Sequence, residues 1–425
     1  MFAVGQTMSV RVEKPAAGGR MIARADGQVL LVSGAIPGEQ VSVRVERVGR
    51  GVAYAETIAV DEPSPDRRPS ARDPLCGGCL YSHIDYPRQL QIKALVIEDA
   101  FTRIGRVELS HRVDVAASPE DGYRMRARLH MKNGTPGFFR EGTHVICPAR
   151  DTRQLLPATC DATDRLVAGL RSLGMSDAGQ LEIAENIDAT ERAIHLSTPV
   201  AVTRSALAGL ASYEGITGLT VSSGERGGGG ALVSGDPHVG DRIEIEGRTV
   251  TLRRHVQAFF QANRYLLSRL VAHVVGPIEP GDRVVDLYAG VGLFALASAE
   301  IRGASVVAVE GDRVGAVDLA ENAAAVGHGH VEPVHQAVEA YVRHERVAPA
   351  VLIVDPPRTG MSKEAVEGAI GLGARTVTYV SCDVATLARD ARRFVDAGYR
   401  IERVDGFDLF PNTPHVETVV RFARG

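Results

Sequence analysis

Three regimes of hydrophobic and polar patterning divide this 425-residue chain. Over residues 1 to about 60 the pattern has period two. Ser9-Val-Arg-Val-Glu and Gln40-Val-Ser-Val-Arg-Val-Glu alternate, Val29-Leu-Leu-Val is a short apolar run, and Gly or Pro separates them. Such alternation turns one face of a strand toward a core and the other toward water, so this stretch predicts a small barrel or sandwich. Pro63-Ser-Pro-Asp-Arg-Arg-Pro-Ser-Ala-Arg-Asp-Pro follows, and four prolines in twelve residues mark a linker, because proline continues neither a helix nor a central strand.

The second regime is mixed and, with the linker, covers residues 61–250. Gln89 to Thr102 has helical apolar spacing, whereas Tyr123 to Lys132 alternates strictly. One face of that strand carries Arg124, Arg126, Arg128, His130 and Lys132; the other carries Met125, Ala127, Leu129 and Met131. The expectation is a buried apolar face and an outward row of cations suited to a phosphate backbone, or else a charged edge that deters aggregation. The stretch from Gly224 to Gly230 reads as a loop and not a phosphate cradle, since no Lys-Ser/Thr follows it. The third regime, residues 251–425, alternates strands with helices. Asp282-Arg-Val-Val-Asp-Leu-Tyr, Ser305-Val-Val-Ala-Val-Glu, Ala350-Val-Leu-Ile-Val-Asp and Thr376-Val-Thr-Tyr-Val-Ser are the strands. This predicts an α/β, doubly wound parallel sheet that binds ligands at the carboxyl ends of its strands.

Composition narrows the class. Apolar residues make up 44% and charged residues 24%, which excludes a collagenous or disordered chain. No apolar run approaches the ~18 residues that span a bilayer, and the chain opens without a basic leader, so a cytoplasmic protein without a membrane partner is expected. Five cysteines are too few for a disulfide scaffold, which directs attention to metal or catalysis. A net charge of −4 excludes a wholly basic nucleic-acid coat. Within residues 1–60, seven basic residues exceed five acidic ones, a mild excess of cations on the small barrel.

Candidate chemistry collects at predicted strand ends. In Asp286-Leu-Tyr-Ala-Gly-Val-Gly-Leu-Phe-Ala, Gly290 and Gly292 let the backbone approach a ligand, and Glu310 ends the next strand, where a carboxylate can accept ribose hydroxyls. These features fit a dinucleotide or S-adenosylmethionine equally, because Gly290-x-Gly292-x-x-Ala295 satisfies the dehydrogenase pattern. Leu352-Ile-Val-Asp-Pro-Pro-Arg at a further strand end favours S-adenosylmethionine, since that turn resembles those of nucleic-acid base methyltransferases. Cys382 follows the strand from Thr376, and Glu417 precedes the final strand Val419-Val-Arg-Phe.

Read together, these segments carry a resemblance. Gly18 to Gly27 and Gly34 to Glu39 resemble the TRAM domain, an RNA-binding barrel of the oligonucleotide-fold type. Phe260-Gln-Ala-Asn, Asp286-Leu-Tyr-Ala-Gly-Val-Gly, Asp355-Pro-Pro-Arg-Thr-Gly, Tyr379-Val-Ser-Cys-Asp and His415-Val-Glu-Thr resemble, in order, the RNA uracil-5 methyltransferase family. The resemblance covers nearly the whole chain. It implies a class I methyltransferase domain behind the barrel and a mixed α+β middle domain. It further implies Gln261, Tyr288, Gly290, Glu310 and Asp355 as contacts of S-adenosylmethionine, Cys382 as nucleophile and Glu417 as proton acceptor. RNA is the implied partner, 23S rRNA before tRNA, with one complete site per chain and hence a monomer. The competing readings are a NAD-dependent oxidoreductase using the same glycine turn and an RNA-binding factor with a vestigial domain.

Many members of that family carry an iron-sulfur cluster on four cysteines. Cys76, Cys79 and Cys147 fit three of those positions, but Ser70 stands at the fourth. Cluster loss is therefore expected, with a serine-ligated or labile cluster, or a zinc site completed by His83, as alternatives. Cys160 is expected in the core. Asp383 beside the nucleophile, where the family usually has Asn, adds a negative charge that would oppose thiolate formation unless paired.

Overall fold

The computed structural model describes residues 2–424 apart from 71, 178, 200–201, 209–213, 225–229, 328–329 and 346. Most of the glycine-rich stretch that begins at Gly224 thus lies outside the described residues.

The period-two segments build a closed barrel. Its strands are Thr7–Pro15, Met21–Ala25, Gln28–Ser33, Gln40–Gly49 and Val52–Glu62, paired in the order first, second, third, fifth, fourth, and the fourth closes on the first. Val10, Val12, Val41, Val43 and Val45 fill its interior, as the alternation requires, and closure removes the exposed edges. The cationic excess is largely spent. Arg11, Lys14, Arg20, Arg24 and Arg44 sit in ion pairs, three of them with Glu62, Asp99 and Glu141 from beyond residue 60.

A seven-stranded central sheet runs in the order Ala231–Gly235, Gly218–Ser223, Arg192–Thr198, Gly179–Glu185, Arg126–Lys132, Thr135–Phe139, Ile146–Pro148. Ala127, Leu129 and Met131 pack with Leu166, Val167 and Leu170 of the helix Pro157–Ser172, so the apolar face of the alternating strand is buried as predicted. Cys160 belongs to the same core.

The C-terminal sheet has eight strands, ordered Val331–His335, Ser305–Glu310, Arg283–Leu287, Val351–Val354, Thr376–Ser381, Glu417–Arg424, Tyr399–Phe407, Asp114–Ala116. The first five run parallel, and Glu417–Arg424 is reversed against both of its neighbours. A dinucleotide-binding sheet of six parallel strands ordered 3-2-1-4-5-6 has no such insertion.

Two parts of the middle block belong to this third unit. The helix Tyr86–Ala100, continued by a π-helical turn Phe101–Gly105, buries Ile97, Ala100 and Phe101 against Leu387, Ala388 and Phe394, and Asp114–Ala116 adds the sheet's edge strand. The hairpin His238–Ile245 and Arg248–His255 places Ile243, Ile245, Val250 and Leu252 in one core with Leu270 and Phe294. A division at residue 250 passes through that hairpin. Proline and glycine mark where the chain turns, but not which core receives an amphipathic face. No helix among the described residues is long and apolar enough to cross a membrane.

Candidate active site

Parallel register aligns the strand ends. Leu287 lies beside Val309 and Val354, so Tyr288, Glu310 and Asp355, one residue further along their strands, emerge on the same edge. The turn there is tight. Tyr288 has φ +63°, a conformation unusual for a tyrosine, and Gly290 and Gly292 have φ +57° and +97°. A Cβ on Gly292 would stand 2.8 Å from Leu319 Cδ1, whereas one on Gly290 would meet no protein atom within 4 Å. Gly292 serves helix packing, and Gly290 leaves room beside the chain.

Carboxylates crowd this edge. Glu310 Oε2 accepts from the Gly290 N–H and Oε1 from the Asp312 N–H, each at 2.6 Å, which fixes the side chain across the turn. Gln261 Nε2 donates to Asp355 Oδ2 at 3.1 Å. Burial, then the Glu310 charge, outweighs that bond and pushes Asp355 up to about 7. Asp286 is fully buried with at most a weak bond from the Ala295 N–H, and burial followed by Asp355 and Glu310 drives its carboxyl well above the ordinary value. Phe259, Phe260, Gln261, Tyr288, Gly290 and Asp355 line the adjoining cavity. The donor set fits S-adenosylmethionine. Glu310 retains lone pairs for a ribose, Asp286 leaves polar atoms to satisfy, and Gly290 leaves space a Cβ would fill.

The reversed strand brings Cys382 and Glu417 together. Ser381 pairs with Thr418 in an antiparallel ladder, so the next step sets Cys382 beside Glu417. Cys382 is half-buried and Glu417 is buried. Burial, then the Glu417 charge, raises the Cys382 thiol to about 11, while the Arg358 guanidinium, which hydrogen-bonds it, pulls the other way. Glu417 is held well above the carboxylate range by burial and by Asp355, again opposed by Arg358. In the sequence Arg358 is simply the residue after Asp355-Pro-Pro, with nothing to mark a role. Its two-sided position appears only once the strands are assembled.

Asp383 does not act as feared. Its carboxylate caps the helix Val384–Asp396, accepting the Thr386 N–H at 2.8 Å, so its charge is met by the helix N-terminus. Lys93, Gln89 and Tyr81 were also missed. Lys93 pairs with Asp408 and donates to Phe410 O at 3.2 Å, Gln89 bonds Asn412, and the Tyr81 N–H donates to Asn412 O at 2.9 Å. Together they pin the loop that leads to Glu417. A buried lysine at helical spacing carried the only advance signal.

The cation row is corrected in part. Arg128 and Lys132 are exposed, but Arg124, Arg126 and His130 are half-buried. Glu182 on the adjacent strand holds Arg126 and Arg128, and His130 stacks on Phe139. A strand inside a sheet faces its neighbours' side chains, which one strand's alternation cannot show.

Cys76, Cys79 and Cys147 do cluster, buried together. Ser70 lines the same cavity as the three cysteines, where its hydroxyl donates to Ser82 Oγ at 2.9 Å and accepts the Arg72 N–H at 3.2 Å. His83 faces the barrel instead, with Nε2 3.3 Å from Ala35 O, so the zinc alternative fails for want of its fourth ligand. Among the described residues no group of His, Cys, Asp and Glu is arranged to hold a metal ion. The residues present do not fit a four-cysteine cluster.

Comparison with known proteins places this geometry. Residues 204–424 match the tRNA (Uracil-5-)-methyltransferase family, and residues 2–58 match the TRAM domain. A 23S rRNA (uracil(1939)-C(5))-methyltransferase, RlmD, of Pseudomonas entomophila is 32% identical over 99% of this chain and 95% of its own. An uncharacterized RNA methyltransferase of Streptomyces avermitilis is 32% identical over 98% of both chains. The tRNA (uracil-54, C5)-methyltransferase of Pyrococcus abyssi, solved with S-adenosyl-L-homocysteine, shares the fold with a TM-score of 0.75 at 24% identity, over 97% of this chain and 99% of that one. By its family match and its full-length relatives, the chain belongs to the RNA uracil-5 methyltransferases.

Proposed function

We propose that this protein methylates carbon 5 of a uridine in 23S rRNA, with Cys382 as nucleophile and Glu417 as the base. The juxtaposition of Cys382 and Glu417 across the reversed strand, at the edge that also carries Gly290, Glu310 and Asp355, supports the reading most directly. The full-length likeness to 23S rRNA enzymes favours that RNA over tRNA. Since these residues come from one chain, the working unit is a monomer, and its compartment the cytoplasm.

Gln261, Tyr288, Gly290, Glu310 and Asp355 would hold S-adenosylmethionine, which supplies an electrophilic methyl group on a positively charged sulfur. Carbon 5 of uracil is too weak a nucleophile to take that methyl directly. The Cys382 thiolate adds to carbon 6, and the displaced electron pair becomes an enolate that makes carbon 5 electron-rich. Once carbon 5 carries the methyl, Glu417 takes its proton, the ring double bond re-forms and the thiolate leaves. Burial raises both the Cys382 thiol and the Glu417 carboxyl, so Arg358, opposing the rise of each, assists activation. Burial of the pair means that the uridine must leave its stack to reach them.

Cys382→Ala should lower turnover by at least about 10⁴-fold while cofactor affinity, measured by calorimetry, stays within about twofold. Glu417→Gln should instead accumulate a covalent protein–RNA band on a denaturing gel. Mass-spectrometric mapping of 5-methyluridine in 23S rRNA from cells lacking the protein identifies the site; an unchanged map would refute the rRNA assignment.

A further inference from the structure

Arg124 stands two residues before the strand Arg126–Lys132, and its chemistry differs from that of Arg126 and Arg128. Arg126 and Arg128 share Glu182 as counter-ion. Arg124 is half-buried and makes no ion pair among the described residues; the charges beside it, Arg358 and Arg126, are like its own. Its bonds run to neutral oxygens. Nε donates to Arg126 O at 2.9 Å and Nη1 to Gln154 Oε1 at 2.6 Å. Gln154 is itself fixed by Gly78 O at 2.6 Å, and the guanidinium lies 5.2 Å from the Phe138 ring and 5.3 Å from the Phe410 ring. The Arg124 backbone pairs with Asn263, two residues from Gln261, while its guanidinium lies beside the Phe410 ring of the loop that leads to Glu417. His415, in the same loop as Glu417, has Arg124 and Arg358 as electrostatic neighbours.

A guanidinium withdrawn from water without a counter-ion is costly, and one held rigidly by aromatic faces and amide oxygens cannot swing out to recover hydration. We propose that Arg124, with Arg358 across the opening, forms a preformed site for one RNA backbone phosphate next to the flipped uridine. The phosphodiester supplies the missing negative charge, and the guanidinium N–H groups left over from the bonds to Arg126 O and Gln154 Oε1 read its position and not the base sequence. This inference rests on the RNA reading above and sharpens it. It separates Arg124, a docking point at the reacting nucleotide, from the partly neutralised remainder of the row.

The test uses the full-length protein and an RNA carrying the methylated uridine identified by mapping. Arg124→Gln should raise KM for RNA about tenfold and reduce the slope of log affinity against log salt by about one, with cofactor affinity unchanged. Arg124→Lys should restore the slope. RNA with a neutral methylphosphonate linkage beside the target uridine should weaken wild-type binding by a similar factor and affect Arg124→Gln little further. An unchanged salt slope, or independent effects of the variant and the neutral linkage, would overturn the phosphate site. A wild-type protein inert on every RNA would instead overturn the underlying function.

Discussion

Burial decides the behaviour of the individual reacting groups. Glu417 shows the cost most clearly, because a carboxyl held above its ordinary value of 4.5 keeps a proton that the unfolded chain has released. That proton favours the folded state below 4.5, and the contribution declines as pH rises toward the folded value. Glu417→Gln should therefore match wild type in acid and become progressively more stable than wild type toward alkaline pH. Each kcal/mol recovered moves Tm by roughly 2–4 °C for domains of this size. Melting curves across that range decide the matter, and a constant difference would mean that the carboxyl titrates normally. A buried carboxyl that is destabilising at rest fits the base proposed for this edge. The residue types were legible from the sequence, since Cys382, Glu417, Asp355 and Glu310 all fall at strand ends. Their mutual influence was not, because it depends on charges that stand far apart in the chain.

Among elements, the helix Tyr86–Ala100 carries an unexpected share of the site's rigidity. Its Gln89 and Lys93 reach across more than three hundred residues of sequence to the loop before Glu417. The Lys93–Asp408 pair is buried, and removing one partner strands a charge. Lys93→Ala should cost about 3–5 kcal/mol and reduce kcat, whereas Lys93→Met with Asp408→Leu should recover most of the stability. Chemical denaturation of the single and double variants checks this. A Lys93→Ala protein as stable as wild type would show that the loop is held by other contacts. The helix itself was readable from its apolar spacing. Its destination was not, because periodicity reports that a face is buried without naming the partner.

At the scale of the whole molecule, the barrel and the catalytic loop touch. A Cβ on Gly19, which has φ +96°, would stand 2.9 Å from Pro414 Cγ, three residues before Glu417. Gly19→Ala should displace the loop or the barrel and lower kcat several-fold, with cofactor affinity preserved because the Gly290 edge lies elsewhere. Steady-state kinetics with calorimetry test this, and unaltered kcat would mean that the barrel yields without disturbing the loop. The RNA-binding unit is thus built against the reaction centre. Its cations do not form a broad open basic face, since most are paired.

Sequence alone determined the strand-built barrel, the parallel sheet and the placement of Glu310, Asp355 and Cys382 at its carboxyl edge. Those properties follow from local periodicity and from motifs a few residues long. Only the tertiary structure decided that a reversed final strand sets Glu417 beside Cys382, that Arg358 serves both, and that Asp383 is spent as a helix cap. It also decided that His83 bonds to the barrel at Ala35 O and that the Ser70 hydroxyl is engaged by Ser82 and Arg72. Each of these depends on register or on packing between distant segments, where a displacement of one residue turns a side chain to the opposite face.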